Sequence, residues 1–367
     1  MSEPGENPPD TPLAAELVPG SLEWRLTVAW AAYRFFGLVH DEEIARSINQ
    51  PADAGRAGPW PVAYFTMYLQ KLSIPSHAWE TGRILAEMAR HGILLPCGWR
   101  ADMVGVPMQG QLYVTQGSRS PQTKGNLWLS EILGPELIIR SYNAVTVQIS
   151  GGEGKPSGTG LVLDSSHILT NRHVVEELFG HNIGTAAIEI HPAVKPPDAQ
   201  WVSRQCIVRA HAEVDVAVIE GEFGNQQDVP ALSGMVFRQP RWGDEVRVFG
   251  YPYVAGTTEQ VITVERGHVV NPAAEAPACG GYPRHKIFLT SAIERPGNSG
   301  GPIVAQDGRV IGLVIDHTRS GLCQAGAGAT GNTSGSPPFY RGIPASEVVR
   351  AIEEMGFNSI AIVENPE

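Results

Sequence analysis

Residues 144–315 of this 367-residue chain form short apolar runs separated by turns, and this pattern restricts the fold more than any other feature. The runs contain many valines and isoleucines, as is typical of β-strands. There are two sets of six: 145–149, 160–163, 168–170, 187–191, 207–211 and 214–219, then 246–250, 260–264, 268–270, 287–291, 302–305 and 310–315. The first set predicts a six-stranded Greek-key barrel, and the number of runs in the second set fits another barrel. With a closing helix expected over 346–355, the predicted fold class is mainly β.

Three polar residues stand out against this apolar background. His173 ends a predicted strand in the pattern Leu-Thr-Asn-Arg-His-Val-Val, Asp215 follows 42 residues later in an apolar run, and Ser299 lies 84 residues further on in the turn Gly-Asn-Ser-Gly-Gly-Pro. A serine hydroxyl attacks an acyl carbon only when an imidazole removes its proton and a carboxylate orients that imidazole. We therefore predict that these three residues form a catalytic triad. Asp198 and Asp228, in looser loop contexts, are weaker candidates for the carboxylate.

The glycine turn around Ser299 also fits the Gly-x-Ser-x-Gly elbow of α/β-hydrolases. That elbow requires a helix directly after the serine and the chain order serine, acid, histidine. Here Pro302 is followed by two short apolar runs around Asp307 and Gly308, and this predicts a hairpin instead of a helix. The remaining alternative is a glycine turn in a β protein without catalytic activity.

The order histidine, aspartate, serine in these motifs resembles the trypsin-like serine peptidases, and within them the HtrA/Deg-like branch, over about residues 140–358. The resemblance implies two chymotrypsin-like barrels, about 139–221 and 236–345, with the active site between them in a peptidase domain spanning 139–358. It also implies hydrolysis of protein or peptide substrates through an acyl-enzyme, with no metal and no cofactor.

In this family the serine turn also binds the negative charge that develops during the reaction. The resemblance therefore implies an oxyanion hole at Gly297, Asn298 and Ser299, with the backbone N–H groups of Gly297 and Ser299 as donors. Asn298 departs from the digestive proteases, in which an aspartate receives the amino terminus freed by zymogen cleavage. An amide cannot form that ion pair, so we expect activation by loop ordering or docking.

The residues expected to bind the substrate begin with Ile293, which lies six residues before Ser299 and so falls at the base of the S1 pocket. The strand expected to pair with the substrate backbone contains Ile315, Asp316 and His317. An isoleucine at the pocket base cannot pair with Lys or Arg. We therefore expect small or medium apolar side chains at P1.

The part of the chain before the barrels has a helical pattern. Residues 1–20 are acidic and proline-rich and are expected to be disordered, residues 21–100 to form a helical domain, and residues 101–138 to form a linker. Helices are predicted over 22–39, 41–48, 62–72 and 78–90, with Trp79 facing inward. A small β-ribbon of 93–95 with 112–114 would complete a winged-helix-like pattern. Residues 21–100 contain eight basic and seven acidic residues, too even a balance to neutralise several phosphates, so protein docking or self-association is favoured over nucleic-acid binding.

The composition of the whole chain limits its partners and its location. The formal net charge is −11 with no dense basic run, which argues against nucleic acid as a main partner. An apolar run of about 18 residues, as a membrane span requires, does not occur, and the acidic N-terminal segment does not resemble a secretory signal, so a cytoplasmic location is expected. The four cysteines show no zinc-binding spacing and are expected to be thiols, although a Cys279–Cys323 bridge stays open.

Three functions are compatible with these observations. The first is a serine endopeptidase that the N-terminal domain recruits or regulates, in a fusion similar to those of bacterial defence and signalling proteins. The second is an inactive trypsin-like binding or scaffold module, against which the complete triad argues. The third is an HtrA-like chaperone, which is weakened because there is no room for a PDZ domain after residue 358.

Overall fold

The computed structural model describes residues 17–51, 58–103, 108–115, 124–151, 157–180, 184–192, 202–221, 232–257, 260–277, 283–315 and 339–364. Six residues considered above lie outside these ranges: Asp198, Asp228, Cys279, Asp316, His317 and Cys323. The chain divides into two compact units, Met1–Arg119 and Ser120–Glu367. Of the helices in the described ranges, none is both long and apolar enough to cross a bilayer.

The N-terminal unit contains four helices near the predicted positions: α1 (Leu22–Phe35), α2 (Glu42–Ser47), α3 (Val62–Lys71) and α4 (Ala78–Arg90). The start of α2 is set by Asp41, whose carboxylate accepts hydrogen bonds from the backbone N–H groups of Glu43 and Ile44 at 2.9 and 3.1 Å. These are donors that the first turn of a helix leaves unpaired. The rings of Phe35, Phe36 and Phe65 pack together at the centre of the unit.

The prediction that Trp79 faces inward is wrong. Its side chain is 73% exposed, whereas Ile84, Leu85 and Met88 of the same helix are buried as expected. Trp79 lies in the first turn of α4, beside a cavity of about 210 Å³ that Val62 and Leu69 also line. Apolar character alone did not identify the buried face at this end of the helix.

Three short strands complete the N-terminal unit: β1 (Trp60–Pro61), β2 (Leu94–Trp99) and β3 (Gln111–Thr115), in the sheet order β1–β3–β2. The predicted ribbon is therefore present, with β1 added to it. The Thr115 backbone N–H donates to the Phe36 carbonyl at 2.7 Å and fixes β3 to the end of α1. Much of the predicted linker, 101–138, is thus not a linker, because β3 belongs to the first unit and residues 127–138 form helices of the second.

The second unit begins with α5 (Ser130–Leu133) and α6 (Pro135–Val145), and α6 leads directly into the first barrel. That barrel contains β4 (Thr146–Ser150), β5 (Ser157–Val162), β6 (His167–Thr170), β7 (Thr185–Pro192), β8 (Val202–Ala210) and β9 (Ala217–Glu220). It closes in the order β4–β5–β6–β9–β8–β7. Its interior admits no side chain at Gly160, where a Cβ atom would lie 2.6 Å from Ile168 and 2.7 Å from Ile149.

The second barrel contains β10 (Glu245–Gly250), β11 (Thr263–Ala276), β12 (His285–Thr290), β13 (Pro302–Ala305), β14 (Val310–Val314) and β15 (Tyr340–Pro344). It closes in the order β10–β11–β12–β15–β14–β13, so the prediction of two six-stranded barrels is confirmed. One detail is wrong. The predicted runs 260–264 and 268–270 belong largely to the single strand β11, and the sixth strand is β15.

The chain after Ser299 forms a hairpin, as predicted from Asp307 and Gly308. Strands β13 and β14 pair antiparallel, which excludes the helix that an α/β-hydrolase elbow requires. The Tyr142 hydroxyl of α6 donates to the Gly308 carbonyl at 2.8 Å and is fully buried there, which raises the pKa of Tyr142. The last helix, α8 (Ala345–Glu354), follows β15 directly, close to the predicted 346–355.

Candidate active site

His173 and Asp215 contact each other directly at the end of the first barrel. The His173 ring nitrogen Nδ1 lies 2.7 Å from Asp215 Oδ2, and both side chains are buried. His173 is the second residue of α7 (Arg172–Phe179), immediately after β6 and its following residue, and not the last residue of a strand. Asp215 lies in a tight turn that precedes β9, so its predicted position inside a strand is also wrong.

The Asp215 carboxylate is held by a second bond that belongs to the helix. Its Oδ1 accepts the His173 backbone N–H at 2.9 Å, in the first turn of α7. A carboxylate at a helix start is stabilised by the unpaired N–H groups there. Asn171 adds a third link, since its side-chain amide donates to the Asp215 carbonyl at 2.8 Å. One carboxylate therefore orients both the ring and the backbone of His173.

Ser299 lies in the loop before β13, and its turn packs against the segment that leads to His173. The Ser299 carbonyl accepts the Thr159 backbone N–H at 3.0 Å. A Cβ atom on Gly300 would lie 2.4 Å from the Thr170 hydroxyl and 3.0 Å from the Asn171 nitrogen. Because Gly300 has no side chain, the serine turn can approach within two residues of His173. The structure thus brings all three residues of the predicted triad to the same region between the barrels.

The turn that precedes Ser299, residues 295–298, has a defined backbone shape. The Asn298 N–H donates to the Arg295 carbonyl at 2.9 Å, and Gly297 has a φ of 101°. Proline at the second position and a positive φ at the third make this a type II turn. Glycine is required at 297 for a further reason, since a Cβ atom there would lie 2.3 Å from the Tyr251 carbonyl oxygen. We call residues 295–298 the oxyanion turn.

The direction of the predicted oxyanion donor follows from the neighbouring peptide group. The Pro296 carbonyl accepts the Tyr253 backbone N–H at 3.3 Å. In a trans peptide the C=O and N–H bonds point in opposite directions, so the Gly297 N–H points away from Tyr253. Among the described residues, no backbone carbonyl accepts the N–H of Gly297 or of Ser299.

The predicted specificity residues are described only in part. Ile293 lies six residues before Ser299 with 44% of its side chain exposed, and Ile315 directly follows β14 and is half-buried. The Ile315 N–H donates to the Arg341 carbonyl at 3.2 Å. Asp316 and His317 lie outside the described residues.

Three residues with a place in this geometry were missed by sequence reasoning: Thr159, Asn171 and Tyr253. Asn171 stands inside the motif quoted for His173, and Thr159 directly precedes the apolar run 160–163, so a polar residue beside apolar neighbours was the available signal. Tyr253 contributes only a backbone N–H, which its side chain gives no means to identify. Of the described cysteines, Cys97 and Cys206 lie outside any disulfide.

Comparison with known proteins agrees with this geometry. Residues 158–313 match the family model described as trypsin-like peptidase domain. Protease Do-like 5, chloroplastic, of Arabidopsis thaliana is 27% identical over 219 residues, which are 59% of this chain and 62% of that protein. A probable periplasmic serine endoprotease DegP-like of Chlamydia pneumoniae is 30% identical over 159 residues, which are 42% of this chain and 28% of that protein. The chain thus spans less than two thirds of the length of these relatives.

Solved structures to which this chain is similar include the active form of the Rv3671c protease from M. tuberculosis. It is 20% identical, with a TM-score of 0.43, and the match covers 61% of this chain and 88% of that one. The serine endoprotease from Yersinia pestis is 18% identical with a TM-score of 0.39, over 61% of this chain and 66% of that one. Residues 158–313 are thus similar to a trypsin-like peptidase domain, and the curated relatives that this chain resembles include proteases named as Do-like and DegP-like.

Proposed function

We propose that this protein is an active endopeptidase in which His173, Asp215 and Ser299 form the catalytic triad. The observation that carries the proposal is the contact of 2.7 Å between His173 Nδ1 and Asp215 Oδ2. That contact leaves the other ring nitrogen, Nε2, to serve as the base. The second Asp215 bond, to the His173 backbone, supports this assignment because it restrains the carboxylate and the ring together.

In the proposed reaction, His173 Nε2 takes the hydroxyl proton while Ser299 Oγ bonds to the substrate carbonyl carbon. The N–H groups of Gly297 and Ser299 bind the oxyanion. The tetrahedral intermediate then expels the amine, which receives the proton from His173, and an acyl-enzyme remains. Water repeats the same steps on the acyl-enzyme and releases the carboxylic acid with Ser299 restored.

Labelling with a fluorophosphonate tests the proposal, because this probe reacts with an activated serine. We predict that the full-length chain is labelled and that Ser299→Ala abolishes labelling. His173→Ala should lower peptide hydrolysis by about 10⁴-fold or more, since the base is lost. Circular dichroism should show that both variants stay folded. Labelling of the Ser299→Ala protein at the wild-type rate would contradict the assignment, and absence of labelling of the wild-type chain would favour the binding or scaffold module.

Two finer features belong to the same proposal. We propose a preference for small or medium apolar P1 residues, supported by the apolar character of Ile293 and Ile315. We also propose that the N-terminal unit recruits or regulates the peptidase through a protein partner or self-association, as an effector in a bacterial signalling or defence system. The support for that last role is analogy with other helical fusions. A cytoplasmic location stays a prediction from the sequence.

A further inference from the structure

Each polar group of Thr159 makes a hydrogen bond, and one of these bonds reaches the oxyanion turn. It lies on β5 of the first barrel and is fully buried. Its hydroxyl donates to the Gly297 carbonyl at 2.7 Å and accepts the Tyr251 N–H at 3.0 Å. Its backbone N–H donates to the Ser299 carbonyl at 3.0 Å, and its own carbonyl accepts the Thr170 hydroxyl at 2.7 Å. A threonine hydroxyl has one proton to donate, and here that proton goes to the oxyanion turn.

The bond from Thr159 restrains one of the two peptide groups that flank Gly297. The Tyr253 N–H holds the Pro296 carbonyl and so fixes the peptide group before Gly297. The Thr159 hydroxyl holds the Gly297 carbonyl and so fixes the peptide group after it. Glycine tolerates many backbone conformations, so these two bonds, together with the Asn298–Arg295 bond of the turn, restrict the direction of the Gly297 N–H.

Thr159 also joins the two halves of the proposed site. The histidine and the aspartate are carried by the first barrel, and the serine with its turn precedes β13 of the second. Three of the four Thr159 bonds cross this boundary, to Gly297, Ser299 and Tyr251. A shift of the oxyanion turn relative to His173 therefore requires that these bonds break.

We propose that Thr159 is a positioning residue that holds the oxyanion donor of Gly297 in its active direction. This inference rests on the proposed peptidase function. It assigns to a side chain of the first barrel a role in transition-state binding that is separate from proton transfer. Removal of its hydroxyl should lower the rate of the chemical step and leave the His173–Asp215 pair unchanged.

Two pairs of variants of the full-length chain isolate the hydroxyl. Thr159→Val keeps the shape of the side chain and lacks the oxygen. In Thr159→Ala and Thr159→Ser the side chain is smaller than threonine, and the two variants differ from each other by one oxygen. If the valine variant does not fold, this second pair still compares a side chain with a hydroxyl and one without. Thr146→Val is the matched control: Thr146 is equally buried, on the neighbouring strand β4, and its hydroxyl has no hydrogen-bond partner among the described residues.

The measured quantity is the second-order rate constant of fluorophosphonate labelling, followed across pH. Because the donor is displaced rather than deleted, Thr159→Val should be slower by about 10- to 100-fold, below the ~10²–10³ typical of a deleted oxyanion donor. The midpoint of the pH profile should not move, since the base is untouched. Thr159→Ser should label near the wild-type rate, Thr159→Ala well below Thr159→Ser, and Thr146→Val like wild type.

Three results would overturn the inference. One is a folded Thr159→Val or Thr159→Ala protein that labels like wild type. Another is a Thr159→Ser protein as slow as the alanine variant. The third is a shift of the pH midpoint together with the rate, which would place the effect on His173. A different result would show that the proposed peptidase function itself is wrong: the wild-type chain would not be labelled, or Ser299→Ala would be labelled at the same rate. In that case the inference about Thr159 would be wrong as well.

Discussion

At the residue scale, Ile293 is the side chain on which the proposed substrate preference depends. It is partly exposed, so a charged replacement can be accommodated without burial of an unpaired charge. A peptide library should show cleavage after small or medium apolar residues, such as Val, Ala or Leu, by the wild-type chain. We predict that Ile293→Asp shifts the preference towards Lys and Arg, because a carboxylate at the pocket base pairs with a cationic side chain.

The matched control is Ile293→Val, which keeps the apolar surface and should keep the preference. Clear cleavage after Lys or Arg by the wild-type chain would show that Ile293 does not lie at the pocket base.

At the scale of the element, α8 is attached to the second barrel by a charged contact that depends on pH. Glu347 lies 2.7 Å from Arg350 within the helix and 3.4 Å from Lys286 of β12. Burial raises the pKa of Glu347, but the bonds to Arg350 and Lys286 outweigh it, so the pKa lies below its ordinary value of 4.5. A lowered carboxyl pKa stabilises the fold above the unfolded-state value, and that stability is lost as the pH falls through the folded-state value.

We therefore predict that Glu347→Gln lowers the urea midpoint of unfolding at pH 7. The difference from wild type should shrink as the pH falls below about 4.5, because the wild-type carboxyl then becomes protonated. Glu353→Gln, on the exposed side of the same helix, is the control. It should change neither the urea midpoint at pH 7 nor the dependence of that midpoint on pH. An equal loss of stability by Glu347→Gln at pH 7 and at pH 3 would contradict the ion-pair explanation.

At the scale of the whole molecule, the boundary between the units determines which truncation is informative. Residues 127–138 contain buried side chains of the second unit, among them Leu133, Leu137 and Ile138. Each such side chain contributes about 2 kcal/mol when buried, against a total of about 5–15 kcal/mol for a domain. Deletion of 1–119 should leave a folded peptidase that labels with the fluorophosphonate, whereas deletion of 1–138 should lower its unfolding temperature sharply.

The shorter deletion also tests recruitment by the N-terminal unit. The protein that lacks residues 1–119 should hydrolyse a short peptide like the full-length chain but cleave a different set of proteins in a cell lysate. Identical lysate cleavage at identical rates would show that the N-terminal unit neither recruits nor regulates. The Ser299→Ala form of each protein is the control for contaminating proteases.

Most strands and both barrels could be predicted because their apolar runs are local. The errors in the predicted strands of the second barrel arise from contacts between residues that are far apart in the sequence. In the sequence, Gly267 resembles a break between two strands, but in the structure it lies inside β11. Glycine is needed there because a Cβ atom would lie 2.2 Å from the Ala292 nitrogen. In β15, Gly342 leaves room for Phe288, whose ring would be 2.4 Å from a Cβ atom at that position. Glycine therefore marks a close approach here rather than a turn, and only the tertiary structure distinguishes the two.

The residues of the candidate active site could also be predicted only in part. The identities of the histidine, aspartate and serine could be predicted from their motifs, because few residue types can do that chemistry. The bonds of Thr159 could not be predicted, since they join residues 138 positions apart in the chain, as in the contact with Gly297.

The contact between Tyr142 and Gly308 has a consequence for the order in which the protein is made. The two residues are 166 positions apart, and the tyrosine leaves the ribosome first. At roughly 5–20 residues per second, the nascent chain needs roughly ten to thirty seconds to supply the turn that receives the Tyr142 hydroxyl. During this interval α6 has no complete binding surface. The first barrel is translated within this interval, and the Tyr142 hydroxyl can reach the Gly308 carbonyl only after the turn between β13 and β14 has been synthesised.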